Sequence, residues 1–223
     1  MVNLKVWEKL RNQFTAKKVT LIAVSKTKPA SDILELYNAG QRDFGENYVQ
    51  ELTEKQAALP KDINWHFIGH LQSNKVKYIA PFVYLIHGVD NDRLLQEINK
   101  QAAKHNRVID VLLQYYIARE ETKYGMNMAE ITEVVKNKAN LPNVRICGLM
   151  GMASNTDDMQ QVRGEFRALD SFFVLLKTEY FPNDPEFSKC SMGMSGDYEI
   201  AIEQGSNMVR IGSLLFGRRT YTN

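Results

Sequence analysis

Two hydrophobic periods alternate along this chain. Short runs rich in β-branched and aromatic residues occur at "VTLIAVSK" (19–26), "RDFGENY" (42–48), "INWHFIG" (63–69), "VYLIHGV" (83–89), "VIDVLLQYYI" (108–117), "VRICGLMG" (144–151), "EFSKCSMG" (186–193) and "MVRIGSLLFG" (208–217). Most are apolar at consecutive positions, the pattern of strands covered on both faces. Between them the apolar positions recur at helical spacing. "SDILELYNAG" opens on Ser31, a helix-capping residue type, and closes on Gly40, which suits a left-handed C-terminal position. "DNDRLLQEINKQAAKHN" places Leu94, Leu95, Ile98 and Ala102 on one face. "NMAEITEVVKNKAN" behaves likewise. In "TDDMQQVRGEFRALDSFFVLLKTEY" the stripe is Met159, Val162, Phe166, Leu169 and Phe173. "SGDYEIAIEQG" starts at Ser195 and Asp197, with Ser195 the expected cap, and stops at Gly205.

Eight such strands separated by helices predict an α/β fold, a single (β/α)8 barrel spanning residues 1–223 as one domain. A doubly wound open sheet is the alternative, and periodicity alone does not separate them. No linker, repeat or low-complexity tract divides the chain.

Composition narrows the class of protein. Apolar residues make up 44% and charged residues 24% of 223, as in a folded globular chain. The net charge of +2 comes from 28 basic and 26 acidic residues with no basic block, which argues against nucleic acid or a membrane surface as partner. No apolar run reaches the ~18 residues of a membrane span. Lys5, Glu8 and Lys9 interrupt the N-terminus, so no export signal is read and the expected location is the cytoplasm. Cys147 and Cys190 are too few for a disulfide framework and are expected as buried free thiols. No metal site is expected, since neither cysteine has paired ligand spacing. Gly69 breaks the helical face that His66 and His70 would need.

The chemistry enters at strand ends, where barrels keep their active sites. "LIAVSKTKP" delivers Lys26 from the end of an apolar strand, on the same face as Ile22 and Val24 by period two. Lys26 is either the first solvated residue of a loop or an amine ringed by apolar side chains. In the second case desolvation favours its neutral form, a nucleophile toward aldehydes that forms a Schiff base. Lys28, beside Pro29, is expected to be solvated. Arg210 lies inside an apolar strand and needs a partner, because an unpaired buried guanidinium is costly. Gly212 and Ser213 follow it, and "SMGMSGD" after the seventh strand brings Ser191 and Ser195. Loops after strands seven and eight commonly bind phosphate, although such residues also serve as caps and turns. A ligand with an aldehyde for Lys26, a phosphate for the loops and a ring nitrogen for Arg210 describes pyridoxal 5′-phosphate. An always-charged arginine at that nitrogen leaves it unprotonated and the ring a weak electron sink.

"AVSKTKP", "FGENYVQE", "WHFIGHLQSNK" and "SMGMSGDYEIAIEQGSNMVRIG", in this order, resemble the pyridoxal phosphate homeostasis proteins, the YggS-like family. The resemblance runs from about Val19 to Gly217. It implies a barrel related to the N-terminal domain of alanine racemase, the type III pyridoxal-phosphate fold without the second β-domain. It implies a carrier that controls free cofactor, with no catalytic turnover and with apo-enzymes that use pyridoxal phosphate as possible recipients. Carried over residue by residue, it implies Lys26 for the aldehyde, Arg210 for the ring nitrogen, and Gly212, Ser213 and Ser191 for the phosphate. Asn47 would border the cofactor. His66 would flank the ring or be a satisfied barrel histidine. Departures from the family pattern are Tyr116 in place of an asparagine, Cys190 in place of a leucine, and a short segment before Val19.

The alternative is a small racemase or related enzyme on the same cofactor. Racemisation needs a second acid/base, and only Tyr48, Tyr115, Tyr116 or Tyr124 could supply it from within. With no second domain after Gly217, an open cofactor mouth and a monomer are expected.

Overall fold

The computed structural model describes residues 2–118 and 124–217. Eight parallel strands close into a barrel in sequence order: β1 (Thr20–Val24), β2 (Asp43–Glu46), β3 (Asn64–Phe67), β4 (Leu85–Val89), β5 (Ile109–Gln114), β6 (Val144–Met150), β7 (Lys189–Met194) and β8 (Met208–Ile211). Closure is made by β8 on β1, with Leu21 opposite Val209 and Ile22 opposite Arg210. The open-sheet alternative is excluded by that pairing. Seven of the predicted runs contain their strand, and β7 runs one residue past its own, to Met194.

Helices follow the strands around the outside: α1 (Leu4–Ala16), α2 (Ala30–Asn38), α3 (Val49–Ala58), α4 (Val76–Ile79), α5 (Asp92–Lys104), α6 (Met128–Lys136), α7 (Met159–Tyr180), α8 (Tyr198–Glu203) and α9 (Ser213–Phe216). The main core lies between strands and helices. On α5 the predicted face is the buried one: Leu94, Leu95, Ile98 and Ala102. Removing each such leucine or isoleucine from water is worth roughly 1.5–3 kcal/mol. On α7 the buried line is Val162, Phe166, Leu169, Phe172 and Leu176. Met159 is exposed and Phe173 half-buried, because the stripe begins one turn later than expected.

Several expectations at element ends are corrected. The cap residue of α2 is Pro29 and not Ser31, since the fixed φ of proline suits a helix start and the helix begins two residues earlier than expected. Gly40 does take a positive φ of 111° just past that helix. The cap residue of α8 is Asp197, and the Ser195 hydroxyl instead accepts the backbone N–H of Gly212 at 3.3 Å. The run 208–217 is a strand only to Ile211; its apolar second half is α9, tucked under α1, with the Asn3 N–H on the Leu215 carbonyl at 2.8 Å. Helices α1, α3 and α4 were not anticipated. The first is capped by the Asn3 side chain and buries Trp7, Leu10 and Phe14.

The barrel interior is a separate core of Ile22, Leu85, Leu112, Cys147, Met150 and Met208. Gly148 allows β6 and β7 to approach: at φ 151°, a Cβ there would sit 1.8 Å from the Lys189 carbonyl oxygen. Cys147 is buried inside the barrel and Cys190 in the outer layer, both as free thiols. Burial pushes Cys147 up to about 12 and raises Cys190 as well. Among the described residues no helix is long and apolar enough to cross a membrane.

Candidate cofactor site

A cavity of about 350 Å³ opens at the C-terminal mouth of the barrel between β1, β2 and β8. Val24, Lys26, Asn47, Arg210, Gly212 and Ser213 all line it, together with Lys28, Ile68, Ser195 and Gly196. Five of the predicted site residues, Lys26, Asn47, Arg210, Gly212 and Ser213, therefore share one space, although they are up to 187 positions apart in sequence.

Lys26 lies two residues beyond β1, half-buried. Alternation carries it to the inward side with Ile22 and Val24, as expected. Thr27 beside it adopts φ 64°, an uncommon left-handed conformation for a β-branched residue. The loop is held from below. The Ser25 hydroxyl donates to Glu46 at 2.6 Å, and the Thr27 N–H donates to Glu51 at 2.5 Å. Lys55, reaching in from α3, donates to Glu46, Glu51 and the Ser25 carbonyl at 2.7, 2.6 and 2.8 Å. Glu46 is fully buried, and burial pushes its carboxyl up to about 7 against the pull of Lys55 and Ser25. Lys28 donates to the Phe216 carbonyl at 2.9 Å, so its amine ties the loop to α9, where the sequence suggested a solvated residue.

Asn47 follows β2. The backbone of Gly69 passes so close that a Cβ there would lie 2.6 Å from the Asn47 carbonyl oxygen. The Asn47 Oδ1 is buried and accepts no hydrogen bond from the described residues. A buried polar atom of this kind costs stability unless something donates to it.

Arg210 is 4% exposed. Its Nη1 donates to the Ser191 carbonyl at 2.9 Å and to the Ser191 Oγ at 2.7 Å, and its Nη2 donates to the Gly151 carbonyl at 3.1 Å. These bonds use three of the five guanidinium N–H groups. All three acceptors are neutral oxygens, and burial lowers its pKa to about 10, still a cation at neutral pH.

Two predicted contacts are placed elsewhere. His66 does not line the cavity; it is fully buried in the barrel, with Nδ1 against His87 Nε2 and Nε2 against Asp43 Oδ1, each at 3.0 Å. The satisfied barrel histidine is therefore the reading that fits. Ser191 is also fully buried, beneath Arg210 and away from the Ser195, Gly212 and Ser213 rim, its Oγ also 3.0 Å from His87 Nδ1. His87 was missed, although one histidine inside "VYLIHGV" was the same signal as Arg210 in its strand. Of the four tyrosines considered, none is among the described residues lining the cavity. Tyr115 packs on Phe172 in the outer layer and Tyr124 stacks on His70. Asp110, Cys147 and Glu186 cluster within 4.8 Å, but Arg145 already pairs with Asp110 at 2.7 Å and the thiol is held protonated, a poor donor set for a metal.

A parallel barrel with a lysine at the end of its first strand and an anion-ready rim after its last two defines a class of barrel that holds a small ligand at its mouth. The chain belongs to the alanine racemase N-terminal domain family, whose model matches residues 5–220. It is 45% identical over 202 residues to a protein of Aquifex aeolicus called pyridoxal phosphate homeostasis protein, covering 90% of this chain and 87% of that one. It is also similar to PipY of Synechococcus elongatus, at 34% identity, over 96% of this chain and 99% of that one. The TM-score is 0.89 for the form without pyridoxal phosphate and 0.85 for the form with it bound. Alanine racemase of Bartonella henselae, at 14% identity and a TM-score of 0.70, shares the fold, and this chain covers 59% of it.

Proposed function

We propose that this protein binds pyridoxal 5′-phosphate at the barrel mouth and acts in the cytoplasm to hold and hand on that cofactor, without turnover of its own. The observation that carries the reading is the convergence of Lys26, Asn47 and Arg210 on one cavity. The donor set fits the group. Lys26 supplies a half-buried amine, Asn47 Oδ1 is a buried acceptor awaiting a donor, and Arg210 retains N–H groups beyond its three bonds. Gly212 and Ser213, with Ser195 and Gly196, form a polar rim suited to a phosphate. When bound, the cofactor supplies an aldehyde that condenses with a primary amine and a ring that draws off electrons.

The side chains take distinct parts. Lys26 Nζ would hold the cofactor by its aldehyde. Arg210 would donate toward the ring nitrogen, and being a fixed cation it would give no proton to it. Asn47 would orient the ring edge. Ser191 and His66 act behind Arg210 and not on the cofactor. Among the described residues lining the cavity there is no Tyr, His, Asp or Glu, which supports carriage over racemisation. The reading takes residues 1–223 as one barrel domain acting as a monomer, with apo-enzymes as recipients.

The test is an absorption spectrum of protein mixed with pyridoxal phosphate, before and after borohydride, beside Lys26→Ala. A visible band that borohydride abolishes and the variant lacks is expected. A colourless wild type would end the proposal. Amino acids of either hand should keep their configuration over hours with the loaded protein, and measurable racemisation would overturn the carrier reading.

A further inference from the structure

A line of polar side chains crosses the otherwise apolar barrel interior. Each comes from a different strand: Asp43 on β2, His66 on β3, His87 on β4, Ser191 on β7 and Arg210 on β8. The steps are 3.0 Å from Asp43 to His66, 3.0 Å from His66 to His87, 3.0 Å from His87 to Ser191 and 2.7 Å from Ser191 to Arg210. The four inner members are 0 to 4% exposed, and Asp43 meets solvent at the N-terminal end of the barrel.

The direction of these bonds follows from one end. A guanidinium has donors only, so the Ser191 Oγ accepts from Arg210. The single hydroxyl proton then goes to His87 Nδ1, its remaining neighbour. That nitrogen must be bare, which puts the His87 proton on Nε2, facing His66 Nδ1. His66 in turn carries its proton on Nε2, facing the Asp43 carboxylate. Asp43 also accepts from Asn64 Nδ2 at 3.1 Å. Every donor points the same way, from the cavity to the far end of the barrel. A hydroxyl that donates its own proton becomes a better acceptor, so the chain strengthens the bond on Arg210.

We propose that His87 is a positioning residue for Arg210: acting through Ser191, it anchors a one-way hydrogen-bond chain that fixes the guanidinium at the cavity. The chain rests only on the bonds above. What the guanidinium then faces rests on the reading of the cavity as a pyridoxal phosphate site. Adding a proton to His66 would reverse the chain. His87 would have to turn to its Nδ1–H form, and the Ser191 hydroxyl would receive two donors and lose the acceptor for its own proton. The titratable and charged groups that face the two rings are Asp43 and Tyr84 at His66 and Arg210 at His87; Tyr84 in turn feels Asp43, Asp110, Cys147 and Arg145. Burial, then His66, then Arg210 keep His87 well below the ordinary histidine range.

The experiment is nitrogen-15 NMR of the imidazoles and of the Arg210 guanidinium in the cofactor-free protein at pH 7.5 and 6. His87 should be neutral with its proton on Nε2, and the Arg210 N–H signals should be in slow exchange. His87→Phe should speed that exchange and weaken pyridoxal phosphate binding about five-fold, the ratio expected for one ordinary hydrogen bond. His87→Gln, which has both an acceptor and a donor, should recover most of it, a rescue that mere filling of space would not give. A His87 found as the Nδ1–H form, or charged at pH 7.5, overturns the proposal. So does a folded His87→Phe protein with unchanged Arg210 signals. If that variant does not fold, Ser191→Ala decides in its place, by whether the His87 Nδ1 resonance moves to the value of a nitrogen without a donor. A wild type with the expected tautomers that fails to bind pyridoxal phosphate would sink the functional reading and leave the chain standing.

Discussion

The two walls of the cavity are built on opposite electrostatic plans. Behind Lys26 the support is ionic: Lys55 lies between Glu46 and Glu51, and the three groups hold Ser25 and Thr27 on either side of the amine. Behind Arg210 the support is neutral, a serine, two histidines and backbone carbonyls. The difference follows from the work each wall has to do. A loop in a strained conformation at Thr27 needs strong, directional restraint, and charge-assisted bonds give it. A cation meant to act on a ligand is best left without a carboxylate bonded directly to it, and neutral oxygens orient it while leaving its field directed at the cavity.

Three substitutions test this contrast. The largest effect is expected from Lys55→Met, which leaves two carboxylates facing each other without their cation. Breaking a buried pair costs about 3–5 kcal/mol. The loss should be fullest at pH 8 in urea unfolding and smaller at pH 5, where Glu46 can carry a proton. Next is the pH dependence of the wild type. Glu46 has an ordinary value of 4.5 and is raised to about 7 by burial, so between those values the folded chain binds more protons than the unfolded one. Its contribution to stability therefore declines as pH rises through that window and is flat above it, with a span of up to ~3 kcal/mol. Glu46→Gln should flatten the slope, and an unchanged slope would show that Lys55 keeps the carboxyl ionised throughout. The smallest effect on folding is expected from Arg210→Met. An apolar side chain replaces a desolvated charge whose hydrogen bonds all go to neutral oxygens, so stability should stay within about 1 kcal/mol of wild type while cofactor affinity collapses. A large loss of stability would mean that this wall, too, depends on charge.

Much of this was written plainly in the chain. The strands could be read because most are near-continuous apolar runs, as parallel strands buried on both faces are, and the long helices because their stripes are wide. Lys26 and Arg210 stood out as charges where apolar residues belonged, and the structure brings both to one cavity. Helix α3 escaped because its buried face is Val49, Leu52 and Lys55, a stripe whose third member is an ammonium group satisfied by partners from another strand. The end of β8 was overrun because Leu214, Leu215 and Phe216 are apolar whether they continue a strand or turn into α9. Ser191 was assigned to the phosphate because a serine near glycines looks like an anion loop. Its true neighbours, His87 and Arg210, lie 104 and 19 residues away. Pairings that cross a barrel leave no local trace, and only the need of each buried polar group for a partner hints at them.

The two thiols give the molecule a built-in clock. Each is buried and held protonated, one inside the barrel and one between barrel and helices. Alkylating reagents attack the thiolate, so neither should react while the fold is closed. Cys190 then records the lifting of the helical coat, and Cys147 the parting of the staves themselves. Labelling rates followed by mass spectrometry would order those two openings in time, with no added reporter.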